Sequence, residues 1–466
     1  MELAGRRVLV AGAGVTGKSV VTALLGLGAE VTVTDGNAER LAALDGLGAA
    51  LAPGLTAPPE GTALVVTSPG WRPTAPLLVA AEAAGVEVIG DVELAWRIGQ
   101  DLPEPPVWLA VTGTNGKTTT VAMLESVLRA AGVDAVACGN VGYAVLDAVL
   151  AGHRVLAVEL SSFQLHWSRT LAPRASVVLN LAEDHIDWHG SMAEYAAAKG
   201  KIHQFSETVV HNSLDEWSVR LASAYAPETA ARVGIGVDTP RPGELGVVED
   251  LLVDRAFVAD PVHHAEELAS LSDVRPAGPH NVLNALTAAA LARAHGVPAE
   301  AIAKGLREFQ PVAHRAVEIA EVGGVRYVND SKATNPHAAA GSLGAYPAVV
   351  WIAGGQLKGA AVDALVEAAA DRLRGVVLLG VDAPVIAAAL TRHAPDVPVK
   401  MLRPGDDEPM TAAVSAASAM ARPGDAVVLA PAAASLDMFR DYAQRGDAFT
   451  AAVHALAGRG PNSDRS

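Results

Sequence analysis

A chain of 466 residues, half of them hydrophobic and 18% charged, can build about two to four domains with real cores and is too apolar to be a disordered polymer. The net charge of −16 argues against general binding to nucleic acid or to an anionic membrane, but not against phosphates held by the backbone N–H groups of a loop. The single cysteine, Cys138, excludes an intrachain disulfide and suits a reducing compartment.

At the N-terminus, Arg6-Arg7 is followed by an apolar run, Val8 to Ala11, that meets glycines too soon to be a signal core. No apolar stretch is long enough to span a bilayer, so a cytoplasmic protein without membrane insertion is expected.

Short Val- and Leu-rich runs alternate with Ala-rich helical stretches, the pattern of parallel sheets covered by helices. Breakers divide the chain into sections 1–103, 104–311 and 312–466. The first opens with a strand at Arg7 to Ala11, a glycine turn and a helix. A strand at Glu30 to Thr34 follows, then one at Ala63 to Thr67 that runs into Ser68-Pro69-Gly70. Leu102-Pro103-Glu104-Pro105-Pro106 reads as a linker, because proline continues neither helix nor ladder.

The second section has strands at Val107 to Thr112, Arg154 to Glu159 and Ser176 to Asn180. An irregular or hairpin stretch covers 237–279, a helix runs from about His280 to His295, and a break falls at Phe309-Gln310-Pro311. The third has strands at Val325 to Asn329, Ala348 to Ala353, Val376 to Leu379 and Ala426 to Ala430. A polar tail from Gly458 reads as frayed.

Two glycine loops carry phosphate chemistry. Gly12-Ala13-Gly14-Val15-Thr16-Gly17-Lys18-Ser19, with Asp35 ending the next strand, satisfies both the dinucleotide fingerprint and the P-loop pattern. In either case glycines admit a diphosphate to the backbone, and the following helix N-terminus favours its charge. The alternative is a plain tight turn. The second loop, Gly113-Thr114-Asn115-Gly116-Lys117-Thr118-Thr119-Thr120, has Val111 where the P-loop pattern has its first glycine. It keeps Gly116 for close approach, Lys117 for terminal phosphates and the Thr118 hydroxyl for Mg²⁺.

Glu159 ends a strand, where parallel sheets present side chains to ligands, and a carboxylate there suits Mg²⁺; the bland alternative is a surface or capping Glu. His185 follows another strand and should reach the same crevice, although a lone His is more often structural. Lys199 lies on a helix begun by the capping box Ser191 to Glu194, with Tyr195 and His203 on its face and Lys201 as a rival on another. Asn281 and Asn284, three apart on a helix, can bond one target, unless Asn281 merely caps it. Arg315 can bind phosphate bidentately.

Further segments follow in order: Glu159-Leu160-Ser161-Ser162-Phe163-Gln164, Asn180-Leu181-Ala182-Glu183-Asp184-His185, Tyr195-Ala196-Ala197-Ala198-Lys199 and His280-Asn281-Val282-Leu283-Asn284-Ala285. After them come His314-Arg315, Asn329-Asp330-Ser331-Lys332-Ala333-Thr334-Asn335, and Ser435-Leu436-Asp437-Met438-Phe439 with Gln444-Arg445-Gly446. Across nearly the whole chain this series resembles the Mur ligase family, whose ATP loop is shared by folylpolyglutamate synthase. The Asp-Ser-Lys-Ala-Thr-Asn and Ser-Leu-Asp-x-Phe segments are most similar to the family's D-glutamate-adding branch.

The resemblance implies three α/β domains: a Rossmann-like N-terminal domain, a central P-loop ATPase-like parallel sheet and a Rossmann-like C-terminal domain. It implies an ATP-dependent ligase that adds D-glutamate to UDP-N-acetylmuramoyl-L-alanine through an acyl phosphate in peptidoglycan precursor synthesis. ATP would sit on Gly113, Thr114, Asn115, Gly116, Lys117, Thr118 and Thr119, with Asn281 and Asn284 at the adenine, Arg315 at the phosphates and Asp330 at the ribose. The UDP-substrate would take Gly14, Val15, Thr16, Gly17, Asp35, Ser68, Pro69 and Gly70, then Asn140, Ser162 and His185.

Thr334, Lys358, Ser435 and Tyr442, the last where the family often has Phe, would hold D-glutamate. Lys117, Glu159, His185, Lys199 and Lys332 would be catalytic. Two Mg²⁺ would use Thr118, Glu159, His185 and a carbamate formed on Lys199. The family often has Pro or Gly where this chain has Val312-Ala313. A monomer is expected. Rival readings are a sibling ligase or a folylpolyglutamate synthase, an NAD-dependent oxidoreductase built on Gly12 to Gly17 with Asp35, and a non-catalytic nucleotide-binding regulator.

Overall fold

The computed structural model describes residues 1–311, 313–402 and 408–458; Val312 and the tail beyond Gly458 lie outside them. Three sheets form, each mostly parallel, and the chain divides into two compact units. Met1–Arg275 with Asn281–Phe309 make the first unit, which carries two sheets; Pro276–His280 and the chain from Gln310 make the second.

The first sheet has five parallel strands in the order Ala50–Leu51, Glu30–Thr34, Arg7–Ala11, Leu64–Thr67 and Glu87–Gly90. Val8 to Ala11 are buried throughout, as a strand covered on both faces must be. Strand order reverses at Arg7–Ala11, so the loops after it and after Leu64–Thr67 flank the crevice where such sheets bind ligands.

The second sheet has nine strands. Val107–Thr112 lies between Val155–Glu159 and Ala175–Val178, parallel to both. Ala135–Gly139 closes one edge, and Thr208–Asn212 and Ala231–Ile235 extend the other. The stretch expected to be irregular or hairpin adds three strands there, Glu244–Val248, Leu251–Asp254 and Glu266–Ser270, paired antiparallel. They are tied to the helix Pro279–Ala294 by Arg293, which reaches the buried Asp254 carboxylate at 2.9 Å.

Within the first unit the first two sheets are joined by the helix Asp91–Gln100. The fully buried Glu93 of this helix accepts the Arg169 and Thr170 N–H groups at 2.8 and 3.0 Å and pairs with Arg97 at 2.7 Å. The hydrogen bonds hold its carboxyl below the usual range against the opposing pull of burial. Asp91, two residues earlier, is less well served. Its Oδ2 receives Gln164 Nε2 at 3.4 Å, its buried Oδ1 has no partner, and burial pushes its carboxyl up to about 6.

A carboxyl raised from 3.8 to about 6 gives stability that is present below pH 4 and lost as pH rises through 6. Asp91→Asn is therefore expected to stabilise the protein at pH 7, by at most about 3 kcal/mol. The advantage should narrow as urea unfolding is repeated from pH 7 down to pH 5; an advantage that does not change with pH contradicts this account.

The third sheet runs Val317–Val322, Val325–Asn329, Ala426–Leu429, Val349–Gly354, Leu373–Leu379 and Val399–Met401. The first pair is antiparallel and the rest are parallel, so the loops after residues 329, 354 and 429 gather at one end. Predicted strand ends agree with observed ones to within a few residues. Among the described residues no helix is long and apolar enough to cross a membrane.

Candidate active site

The second glycine loop leaves the central strand Val107–Thr112 and enters the helix Lys117–Ala130. Gly116 caps that helix at φ 86°, and a Cβ there would lie 2.5 Å from Asn284 Oδ1, so only glycine fits. Asn180 shapes the loop: its Oδ1 accepts the Asn115 N–H at 2.9 Å, its Nδ2 donates to Asn115 O at 3.1 Å, and its carbonyl accepts the Thr114 N–H at 2.9 Å. Lys117 Nζ donates to Gly113 O and Thr114 O, both at 2.9 Å, which places its charge over the loop.

Glu159, 2% exposed, is fixed at its strand end by Thr118 Oγ1 at 2.6 Å on Oε2 and by Asn140 Nδ2 at 3.0 Å on Oε1. Thr118 and Glu159 thus offer adjacent hard oxygens. Among the described residues no group of three or more His, Cys, Asp or Glu could hold a metal by itself. Mg²⁺ is commonly bound by one or two protein oxygens with phosphate and water completing the shell, and Thr118 and Glu159 are oxygen donors of that kind.

The helix carrying the two asparagines begins at Pro279, so Asn281 lies inside it and is not its cap. Asn284 Nδ2 donates to Asn281 Oδ1 at 3.1 Å, and its Oδ1 accepts from Thr120 Oγ1 at 3.2 Å. The pair therefore braces the loop from beneath. Thr119 is buried in the first turn of the helix after the loop.

Lys199 is 2% exposed, with Nζ donating to Gly113 O at 2.8 Å and Thr112 Oγ1 at 3.3 Å. Burial, reinforced by Lys117, drives its ammonium well below the usual lysine range. Ser191 caps this helix and Tyr195 packs 4.8 Å from Lys199 Nζ, as expected. The α-helix ends at Gly200 and passes into a 3₁₀ turn that carries His203, which is buried like Tyr195 and Lys199 and lies 2.8 Å from Ser176 Oγ. The rival, Lys201, donates to His166 O at 2.6 Å.

His185 has φ 55° and a side chain 43% exposed; its ring lies 4.7 Å from Phe163 and 6.4 Å from Tyr195. The Tyr195 hydroxyl in turn lies 3.0 Å from Thr114 Oγ1, which links His185 to the loop. Ser162 is buried, with its hydroxyl 2.9 Å from His189 Nε2. Burial lowers His189 to about 4. The structure thus gathers Lys117, Thr118, Asn140, Glu159 and Lys199 around one loop, with His185 and Ser162 among the aromatic rings beside it.

The first glycine loop is built differently. Gly17 and Gly12 are pressed together so closely that a Cβ on Gly17 would collide with Gly12 O, while Gly14 faces open space. Asp35 orders the loop by accepting the Ala13 N–H at 2.8 Å and the Asn37 N–H at 2.8 Å. Val15 and Thr16 begin the helix Val15–Gly26, and Ser68-Pro69-Gly70 leaves the neighbouring strand beside Gly12. Lys18 is exposed and Ser19 Oγ donates to Asp147 Oδ1 at 2.5 Å. The Ser19 hydroxyl, which would serve a P-loop nucleotide, is therefore turned to Asp147 and Lys18 is open to solvent, although the pattern here is the stricter match.

In the second unit Asp330 is half-buried, accepts from the Ser342 hydroxyl and has its carboxyl raised by desolvation, with that hydrogen bond and Arg315 opposing the shift. Lys332 Nζ sits 3.9 Å over the Tyr442 ring. Ser435 is buried, and its carbonyl accepts the Phe439 N–H at 2.8 Å. Thr334 is half-buried; Lys358 is exposed at φ 54°. Sequence reasoning gave no role to Asn180 or Arg445, although both stand in segments it singled out. Nothing in the pattern marked His189.

Fold and site together define a class of α/β enzymes that handle nucleotide phosphates. The family described as Mur ligase middle domain matches residues 111–292, and Mur ligase, glutamate ligase domain, matches residues 314–433. Residues 2–68 match Alanine dehydrogenase/PNT, C-terminal domain, in keeping with the glycine-loop βαβ unit there. Among solved structures, UDP-N-acetylmuramate-alanine ligase MurC from Thermotoga maritima aligns with a TM-score of 0.58 at 18% identity, over 97% of this chain and 99% of that one.

Curated relatives are far more similar in sequence. UDP-N-acetylmuramoylalanine--D-glutamate ligase of Thermobifida fusca is 58% identical over 98% of this chain and 100% of its own length. The ligase of the same name from Streptomyces coelicolor is 55% identical over 98% and 99%. The chain belongs to the Mur ligases, in the family of UDP-N-acetylmuramoylalanine--D-glutamate ligases.

Proposed function

We propose that the chain adds D-glutamate to UDP-N-acetylmuramoyl-L-alanine using ATP, a step of peptidoglycan precursor synthesis. The observation that carries this is full-length identity of 58% with a ligase of that name. The crevice between Gly14 to Gly17 and Ser68 to Gly70 takes the UDP, with Asp35 at the nucleoside end, and Asn140, Ser162 and His185 direct the rest of the substrate toward Lys117. ATP lies on Gly113 to Thr119, assisted by Asn281, Asn284, Arg315 and Asp330. Thr334, Lys358, Ser435 and Tyr442 receive D-glutamate.

A carboxylate oxygen of the bound peptide attacks the γ-phosphorus of ATP, and ADP leaves. The D-glutamate amine then attacks the acyl phosphate carbonyl, phosphate departs and the amine loses a proton. Lys117 and Lys332 neutralise the charge that moves with the phosphoryl group, and the buried loop holds the reactants in line. Thr118 and Glu159 would hold one Mg²⁺, and His185 with a Lys199 carbamate a second; bound there, the ions supply further charge neutralisation. Lys199 suits carbamate formation because its buried amine is kept from protonation. We read the active unit as a cytoplasmic monomer, since one chain supplies residues for every substrate.

Phosphate release from ATP, with Mg²⁺ and UDP-N-acetylmuramoyl-L-alanine, tests the reading in parallel mixtures with D-glutamate, L-glutamate or no amino acid. Release that requires D-glutamate, with product heavier by one glutamyl residue, is expected. Release without an amide product points to a regulator. No release from folded, ATP-binding protein removes D-glutamate as the acceptor.

A further inference from the structure

Arg445 is 1% exposed and lies in the first turns of the helix Tyr442–Gly458. A buried guanidinium needs every donor satisfied. Its Nε donates to Ser331 Oγ at 3.0 Å and Nη2 to Ser331 O at 2.8 Å; Nη1 donates to Ala433 O at 3.1 Å and Gly354 O at 3.4 Å. The Ser331 hydroxyl passes its own proton to Tyr442 O at 2.7 Å.

These acceptors lie where three different strands give way to their loops: Gly354 ends the strand Val349–Gly354, and Ser331 and Ala433 follow the strands Val325–Asn329 and Ala426–Leu429. Each loop carries a residue assigned above to the amino acid: Thr334 follows Ser331, Lys358 follows Gly354, and Ser435 follows Ala433. The backbone at this end is also under constraint, since Ala432 and Lys358 both hold positive φ, at 58° and 54°. Asp437 offsets part of the charge on Arg445, but the direct contacts are carbonyls and a hydroxyl. The guanidinium therefore joins the loops from behind, and its positive charge suits an anionic ligand in front of them.

We infer that Arg445 is a positioning residue for the amino-acid acceptor, setting the spacing of the Ser331, Gly354 and Ala433 loops so that Thr334, Lys358 and Ser435 can hold one dicarboxylate. The inference rests on the proposed D-glutamate ligation. Lysine cannot replace it fully, because a compact ammonium lacks the planar fork that spans three loops.

The test compares Arg445→Met and Arg445→Lys with the wild-type full-length enzyme in two reactions. One is D-glutamate ligation, with KM and kcat measured separately. The other replaces D-glutamate by hydroxylamine, which attacks the acyl phosphate, releases phosphate and leaves a hydroxamate without using the amino-acid site. Arg445→Met is expected to raise the KM for D-glutamate by about tenfold or more, with Arg445→Lys intermediate, because several charge-assisted bonds are lost. Hydroxamate formation and the KM for UDP-N-acetylmuramoyl-L-alanine should stay within about threefold of wild type.

An equal loss in both reactions overturns the inference, as does an unchanged KM for D-glutamate. If Arg445→Met does not fold, as judged by its melting curve, Arg445→Lys alone decides by the same two readings. Wild-type enzyme that forms the hydroxamate but ignores D-glutamate would instead remove the proposed acceptor.

Discussion

Lys117→Ala should lower kcat/KM for ATP-dependent ligation by about 10³ or more, while Lys18→Ala in the other glycine loop changes it by less than about threefold. Lys117 Nζ is held over its own loop by Gly113 O and Thr114 O, beside Thr118 and Glu159. In the proposed reaction this charge, already held over the loop, neutralises the negative charge that develops on the phosphoryl group. Lys117→Arg should not restore activity, because a planar fork does not replace a point charge in a loop this tight. Lys18 is exposed, and Ser19 beside it bonds to Asp147. Steady-state kinetics with varied ATP on both variants decide the matter; comparable losses would mean that the first loop holds ATP.

Lys199→Ala should lower kcat by about a hundredfold or more without loss of stability. The side chain is fully buried, and its ammonium is strongly disfavoured there, so removing it relieves the fold of a desolvated amine. The loss is therefore chemical, and thermal melting should show it to be so. With ¹³C-labelled CO₂, wild-type protein should give a carbamate carbon resonance that Lys199→Ala lacks. Its intensity should rise with pH, because carbamate formation consumes the neutral amine and releases a proton. A variant that keeps more than a third of its activity, or a wild-type protein without the resonance, would remove the carbamate from the mechanism.

Much of the fold was legible because both its signals are local. Runs such as Val8 to Ala11 and Val107 to Thr112 are apolar over their whole length, since helices cover both faces of a parallel sheet. Glycine loops directly after strands marked both crevices proposed here to bind phosphate. The stretch 237–279 was harder to read, because its three short strands follow turns and bury one face only in part. The 3₁₀ turn at Lys201–His203 was not legible either, because spacing by four assumes a continuous α-helix, and Gly200 ends it.

By itself the sequence determined the α/β class, many of the strands, the two glycine loops and the residues proposed for the site. Choosing between the loops on the residues alone was beyond it, because the stricter P-loop pattern is Gly12 to Ser19. Only tertiary structure set Thr118 against Glu159, buried Lys199 beneath Gly113 and turned Ser19 toward Asp147. It also placed Arg445 behind three loops far apart in sequence. The physical reason is that motifs record backbone conformation over a few residues, whereas charge burial and hydrogen-bond partners depend on neighbours that only folding brings within reach.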